Sequence, residues 1–204
     1  MFYKVIRFLV AGIFRAVYRI HVTGADNIPS SGACIIAPNH TSAVDPIILG
    51  VIERRQIRFI GKAELFRFPP LGWLLKALGA FPVNRAEGDI AAVKKTVSIL
   101  SDGELLCVFP QGTRCPGKPL RETVEHLKPG IGMMAMRSGA PVVPVYIRTK
   151  ANCLCAFRRT DVIFGKPIGS DEIRAFDGRT RYADASAYIF ERICELGGAE
   201  EKAA

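Results

Sequence analysis

The chain has 204 residues, 49% of them hydrophobic, and carries 28 Lys and Arg against 19 Asp and Glu, a formal net charge of +9. That length supports one domain burying roughly 70% of its unfolded surface, and no shift in composition marks a second domain. No uninterrupted apolar run reaches the roughly 18 to 20 residues of a membrane-spanning helix, so the sequence excludes a transmembrane segment of that kind and places its surplus apolar surface against a membrane, not across it.

A basic excess implies an anionic partner. Lipid is favoured over nucleic acid, because the sequence holds no helix-turn-helix, zinc-finger, RNP or Gly-rich phosphate motif while apolar segments lie beside the basic ones. The six cysteines, at 34, 107, 115, 153, 155 and 194, show no C-x-x-C spacing and fit a reducing cytosolic setting. Cys153-Leu154-Cys155 with His126 lacks a fourth ligand, so no metal site is expected.

In chain order, Phe2 to Ile20 reads as an amphipathic helix. Lys4, Arg7, Arg15 and Arg19 fall within about 120° of arc at helical pitch, opposite Phe2, Ile6, Leu9, Ile13, Val17 and Ile20. Residues 1–22 are therefore expected to form a membrane-interface helix and 23–204 the folded domain; a core-packing helix with solvated cations is the alternative. Arg15 breaks the apolar run and no small-x-small site follows, which argues against a cleaved signal peptide. A short strand at Ile20-His21-Val22 precedes turns marked by Gly24, Asn27, Pro29 and Gly32.

Ala33 to Ala37 is a short apolar run between Gly32 and Pro38, the pattern of a buried strand. It delivers His40, and five residues later Asp45-Pro46 opens a helix through Ile47, Ile48, Val51 and Ile52. A strand-end loop closing on a helix start brings His40 and Asp45 within reach of each other. An imidazole near its own pKa takes a proton from a hydroxyl, and a carboxylate on its other nitrogen fixes the tautomer and stabilises the imidazolium. The chain has no G-x-S-x-G elbow, so the nucleophile would be a hydroxyl of the substrate. On spacing alone, Asp45 serves equally well as an N-cap and His40 as a polar loop residue.

Beyond this loop, Ile57 to Lys62 reads as a strand ending at Gly61. Leu65 to Leu78, with the single tryptophan Trp73, contains a short helix that touches lipid or the acyl chain, or else packs in the core. Phe81-Pro82-Val83 is extended and presents Arg85, and helical period resumes from Ile90 to Leu100. Leu105 to Phe109 is a continuous apolar run, the mark of a central strand. Its exit turn, Gln111-Gly112-Thr113-Arg114, offers a glycine for close backbone approach and a guanidinium for phosphate. A helix follows at Gly130 to Ser138, then strands at Val142 to Ile147 and Asp161 to Gly165. Pro144 argues that the first of these is an edge strand or carries a bulge. A last helix spans Arg181 to Leu196, and the tail to Ala204 frays. Alternating strands and helices predict one α/β domain with a mixed, largely parallel sheet covered on both faces.

Asn39-His40-Thr41-Ser42-Ala43-Val44-Asp45 resembles the N-H-x-x-x-x-D motif of the glycerolipid acyltransferases. Further blocks of that family follow in order: Gly79 to Arg85 is similar to its G-x-F-x-x-x-R block, Phe109 to Arg114 to F-P-E-G-T-R, Lys128-Pro129-Gly130 to K-x-G, and Val142 to Val145 to V-P-V/I. The resemblance implies transfer of an acyl group from acyl-CoA or acyl carrier protein to the 2-hydroxyl of 1-acyl-glycerol 3-phosphate (lysophosphatidate). It implies His40 as base and Asp45 as its partner, and Arg85, Gln111, Gly112, Thr113, Arg114 and Lys128 as substrate-binding residues. It implies no metal or prosthetic group, and a peripheral place on the cytoplasmic face of the membrane. One departure stands out, Gln111 where the family has glutamate. It keeps open another lysolipid acceptor, such as a lyso-aminolipid, beside the reading of a non-catalytic basic protein that binds lipid surfaces.

Overall fold

The computed structural model describes residues 11–83 and 89–198. Its strands are β1 Ile20–Thr23, β2 Cys34–Pro38, β3 Ile57–Lys62, β4 Ala80–Val83, β5 Leu105–Cys107, β6 Val142–Thr149 and β7 Thr160–Phe164. Its helices are α1 over residues 11–17, then α2 Asp45–Ile52, α3 Pro69–Ala77, α4 Asp89–Ser101, α5 Gly130–Ser138, α6 Ser170–Arg174 and α7 Arg181–Gly197. The strands make one sheet in the order β1-β7-β6-β2-β5-β3-β4. From β6 to β4 every neighbouring pair is parallel. β7 runs antiparallel to β6, and β1 lies parallel to β7 at the edge.

Every residue of β2 and β5 is buried, because both faces of the sheet are covered. On one face Ile35, Ala37, Leu106 and Val142 join a core with Ile131, Met134, Ile189 and Ile193 of α5 and α7. On the other, Cys34, Ile36, Cys107 and Val145 pack with Ile48, Leu49 and Ile52 of α2. α5 and α7 approach closely at Gly132, whose N–H donates to Ser186 Oγ at 3.0 Å; a Cβ there would fall 2.2 Å from Tyr182 O.

Two open readings narrow. The strand with Pro144 is interior, between β7 and β2, and not an edge. Its proline is tolerated because the ladder is irregular there: Val145 pairs with Phe164 but Val142 with Ile168, so residues 165–167 oppose only 143–144, a bulge. The Leu65 to Leu78 segment resolves into a 3-10 turn, Ala63–Phe66, and α3, and exposes Leu65, Phe68, Leu71 and Trp73, so it is no core helix. Residues 1–10 of the expected interface helix lie outside the described residues. In α1, Ile13, expected on the apolar side, is exposed, while Phe14, which is not on that side, packs on the core. No helix among the described residues is long and apolar enough to cross a membrane.

Candidate active site

β2 and β5 are adjacent and parallel, with Ile36 level with Cys107, so the loops that follow them leave the same edge of the sheet. The first loop is pinned by Asn39, a buried residue whose part spacing did not reveal. Its Nδ2 donates to Ile147 O at 3.1 Å and its Oδ1 accepts the Ile147 N–H at 2.7 Å. The amide thus stands in for a backbone unit and extends the β2–β6 pairing beyond Pro38.

Asp45 is fully buried at the start of α2 but does not cap it: no side-chain cap bond is made there. Its Oδ2 turns back onto the loop, accepting the N–H groups of Thr41 and Ser42, each at 2.8 Å, and lying 2.9 Å from His40 Nδ1. A carboxylate only accepts, so Nδ1 carries the proton and Nε2 is left as an acceptor. The ring stacks on Phe109, with centroids 3.9 Å apart and planes 24° apart, and remains 16% exposed. The His40 backbone is tied as well: its N–H donates to Gln111 Oε1 at 3.0 Å, and its carbonyl accepts the Cys115 N–H at 2.8 Å.

Gln111 uses both ends of its amide. While Oε1 holds His40, Nε2 donates to Thr123 Oγ1 at 3.0 Å, and that hydroxyl donates to Leu120 O at 2.7 Å. Thr123 lies in a 3-10 segment, Leu120–His126, that no periodicity signalled. The polarity of this relay suits an amide. Gln111→Glu would bury a second carboxylate near Asp45 and would require the Thr123 hydroxyl to give up Leu120 O. We expect it to cost about 1–3 kcal/mol, read from urea unfolding.

The exit turn closes through the Gly112 N–H on Phe109 O at 3.0 Å, with Gly112 at φ +64, a conformation that suits glycine. Lys128 joins it, its N–H donating to Pro110 O at 3.2 Å, and its Cγ would lie 3.4 Å from a Cβ on Gly112. Thr113, Arg114 and Lys128 are exposed at this edge. The fold therefore gathers His40, Asp45, Gln111, Gly112, Thr113, Arg114 and Lys128, while Arg85 lies outside the described residues. Cys107 is a poor rival nucleophile, since burial and then the Asp45 charge push its thiol well above the ordinary range.

An α/β fold that holds an imidazole in this way is of the class equipped to take a proton from a hydroxyl. Comparison with known proteins gives that class a family. The chain belongs to the Acyltransferase family, whose profile matches residues 19–148. It is 31% identical over 180 residues to a 1-acyl-sn-glycerol-3-phosphate acyltransferase of Bacillus subtilis, covering 87% of each chain. With a protein of the same name from Borreliella burgdorferi it shares 32% identity over 136 residues, 66% of this chain and 53% of that one. The crystal structure of PlsC, the 1-acyl-sn-glycerophosphate (LPA) acyltransferase of Thermotoga maritima, has the same fold, with a TM-score of 0.67 over 98% of this chain and 84% of the other at 24% identity.

Proposed function

We propose that this acyltransferase moves a fatty acyl group from acyl-CoA or acyl carrier protein to the 2-hydroxyl of 1-acyl-glycerol 3-phosphate, giving phosphatidate. The observation that carries the reading is the 2.9 Å contact between His40 Nδ1 and Asp45 Oδ2, which leaves Nε2 open to a substrate hydroxyl. Nε2 takes the hydroxyl proton as the oxygen attacks the thioester carbonyl. The new C–O bond forms, the C–S bond breaks, and the departing thiolate recovers the proton from the imidazolium. Asp45, adjacent and buried, stabilises the cation while it lasts. Backbone N–H groups of the loops serve the oxyanion. A thioester is already activated, so the step calls for no metal or prosthetic group.

Arg85, Arg114 and Lys128 hold the acceptor phosphate, with guanidinium giving paired hydrogen bonds and lysine a point charge. Gln111 lends no support to a changed acceptor, because both polar ends of its side chain bond to the protein. The net charge of +9 supports work at the cytoplasmic face of the membrane as a peripheral protein.

Purified protein given a radiolabelled thioester and a panel of lysolipids should label phosphatidate. Label appearing only in the product of a lyso-aminolipid would replace this reading, and an absence of transfer to any lysolipid would end it. Arg114→Ala should raise KM for the phosphorylated acceptor about 10- to 100-fold and leave that for the thioester unchanged, as loss of a charge-assisted contact on one substrate requires. Equal effects on both substrates would remove the phosphate assignment.

A further inference from the structure

We infer that the segment from Lys62 to Lys76 is a docking surface for an anionic bilayer, built beside the site; this rests on the reading that the acceptor is a membrane lipid. The apolar part is substantial. Phe68 is 64% exposed, Trp73 63%, Leu65 47% and Leu71 37%, all within nine residues of one another. Solvent-facing aromatic and aliphatic side chains in such density mark an interaction surface.

The backbone of the segment suits a medium without water. The first four N–H groups of a helix have no intrahelical partner, and in α3, counted from its cap Phe68, two of those four positions are Pro69 and Pro70, which have no N–H; the ladder begins with the Gly72 N–H on Phe68 O at 2.8 Å. Phe68 and Leu71 keep the N–H groups at that end in need of an acceptor, so entering the acyl boundary costs less there than at a helix start without proline. The charges suit a headgroup layer. Lys62, Arg67 and Lys76 are exposed around the apolar side chains, and Glu64, close to Lys62, is the one carboxylate between residues 62 and 83. Trp73 has the amphipathic ring that favours an interface.

Register supplies the link to the site. Phe59 of β3 is level with Cys107 of β5, which is level with Ile36 of β2, so the chain after Lys62 leaves the sheet at the same edge as His40 and Gln111. A bilayer met by this segment lies next to the imidazole, and an acceptor can reach His40 without leaving the lipid phase.

Trp73 is the only tryptophan of the chain, so its fluorescence reports on this surface directly. The 204-residue protein is titrated with vesicles of equal parts phosphatidylglycerol and phosphatidylcholine, and separately with vesicles whose acyl chains are brominated. Emission should shift to shorter wavelength with the first and be quenched by the second. Phe68→Ser combined with Leu71→Ser should weaken vesicle binding at least about tenfold, with an unchanged Tm and unchanged turnover on a short-chain, monodisperse acceptor. Co-sedimentation with vesicles without any change in Trp73 emission would overturn the inference. So would an emission shift that follows protein concentration without lipid, since a second copy would then cover the patch. Vesicle binding through Trp73 without acyl transfer keeps the surface and removes the proposed reaction; acyl transfer from vesicles with silent Trp73 does the reverse.

Discussion

His40→Ala should slow acyl transfer by about 10² to 10⁴, the usual contribution of a positioned general base, while the protein stays folded. The expected division between activity and stability follows from what holds the loop. The N–H of residue 40 bonds to Gln111 Oε1 and its carbonyl accepts from Cys115, and neither contact involves the imidazole. Asp45 keeps the N–H groups of Thr41 and Ser42 when the ring is gone. What is lost structurally is one hydrogen bond and the stacking on Phe109. Rates at saturating thioester, set beside circular dichroism and urea unfolding, separate the two effects. Turnover within a few-fold of the parent would eliminate His40 as the base.

Asp45→Asn should cost about as much activity, 10² to 10⁴, and in addition about 1–3 kcal/mol of stability. The amide oxygen can still accept from Thr41 and Ser42, but its neutral side chain no longer stabilises an imidazolium. Its NH₂ would enter a space where Asp45 Oδ1 has no hydrogen-bond partner among the described residues, so a buried donor would be left unpaired. If the two residues act as one unit, His40→Ala with Asp45→Asn should be hardly slower than either alone. Rate losses that multiply in the double variant would mean that Asp45 acts on something other than the ring.

Much of this architecture can be read from residue pattern. α5 runs over Gly130–Ser138, as its apolar period and the following Gly139 indicate, and β2 begins one residue after the start of its apolar run. Both signals are local: a helix face or a doubly buried strand writes itself into neighbouring residues. The pairing of His40 with Asp45 was legible only in part: five residues on one loop bring the two within reach, but spacing alone served equally well for an Asp45 cap, and the family motif favoured the pair. What stayed hidden depends on partners far away in the chain. Gln111 reaches His40 across 71 residues and Asn39 reaches Ile147 across 108, and no periodicity encodes such contacts. Thr123 could have been suspected only as a buried polar residue in search of a partner. Pro144 could not choose between edge and bulge, because its missing N–H says that one ladder bond is absent and not which strand stood opposite.

The tie between Asn39 and Ile147 also sets a lower bound on what a minimal catalyst could be. A polypeptide cut before β6 would own the base, its carboxylate and the cationic turn, but the amide that anchors the loop would find no strand to grip. The smallest autonomous unit able to keep the reacting groups in place therefore runs at least from β2 through Ile147, and shortening the protein by its sequence signatures alone would yield a fragment with every functional group and no active geometry.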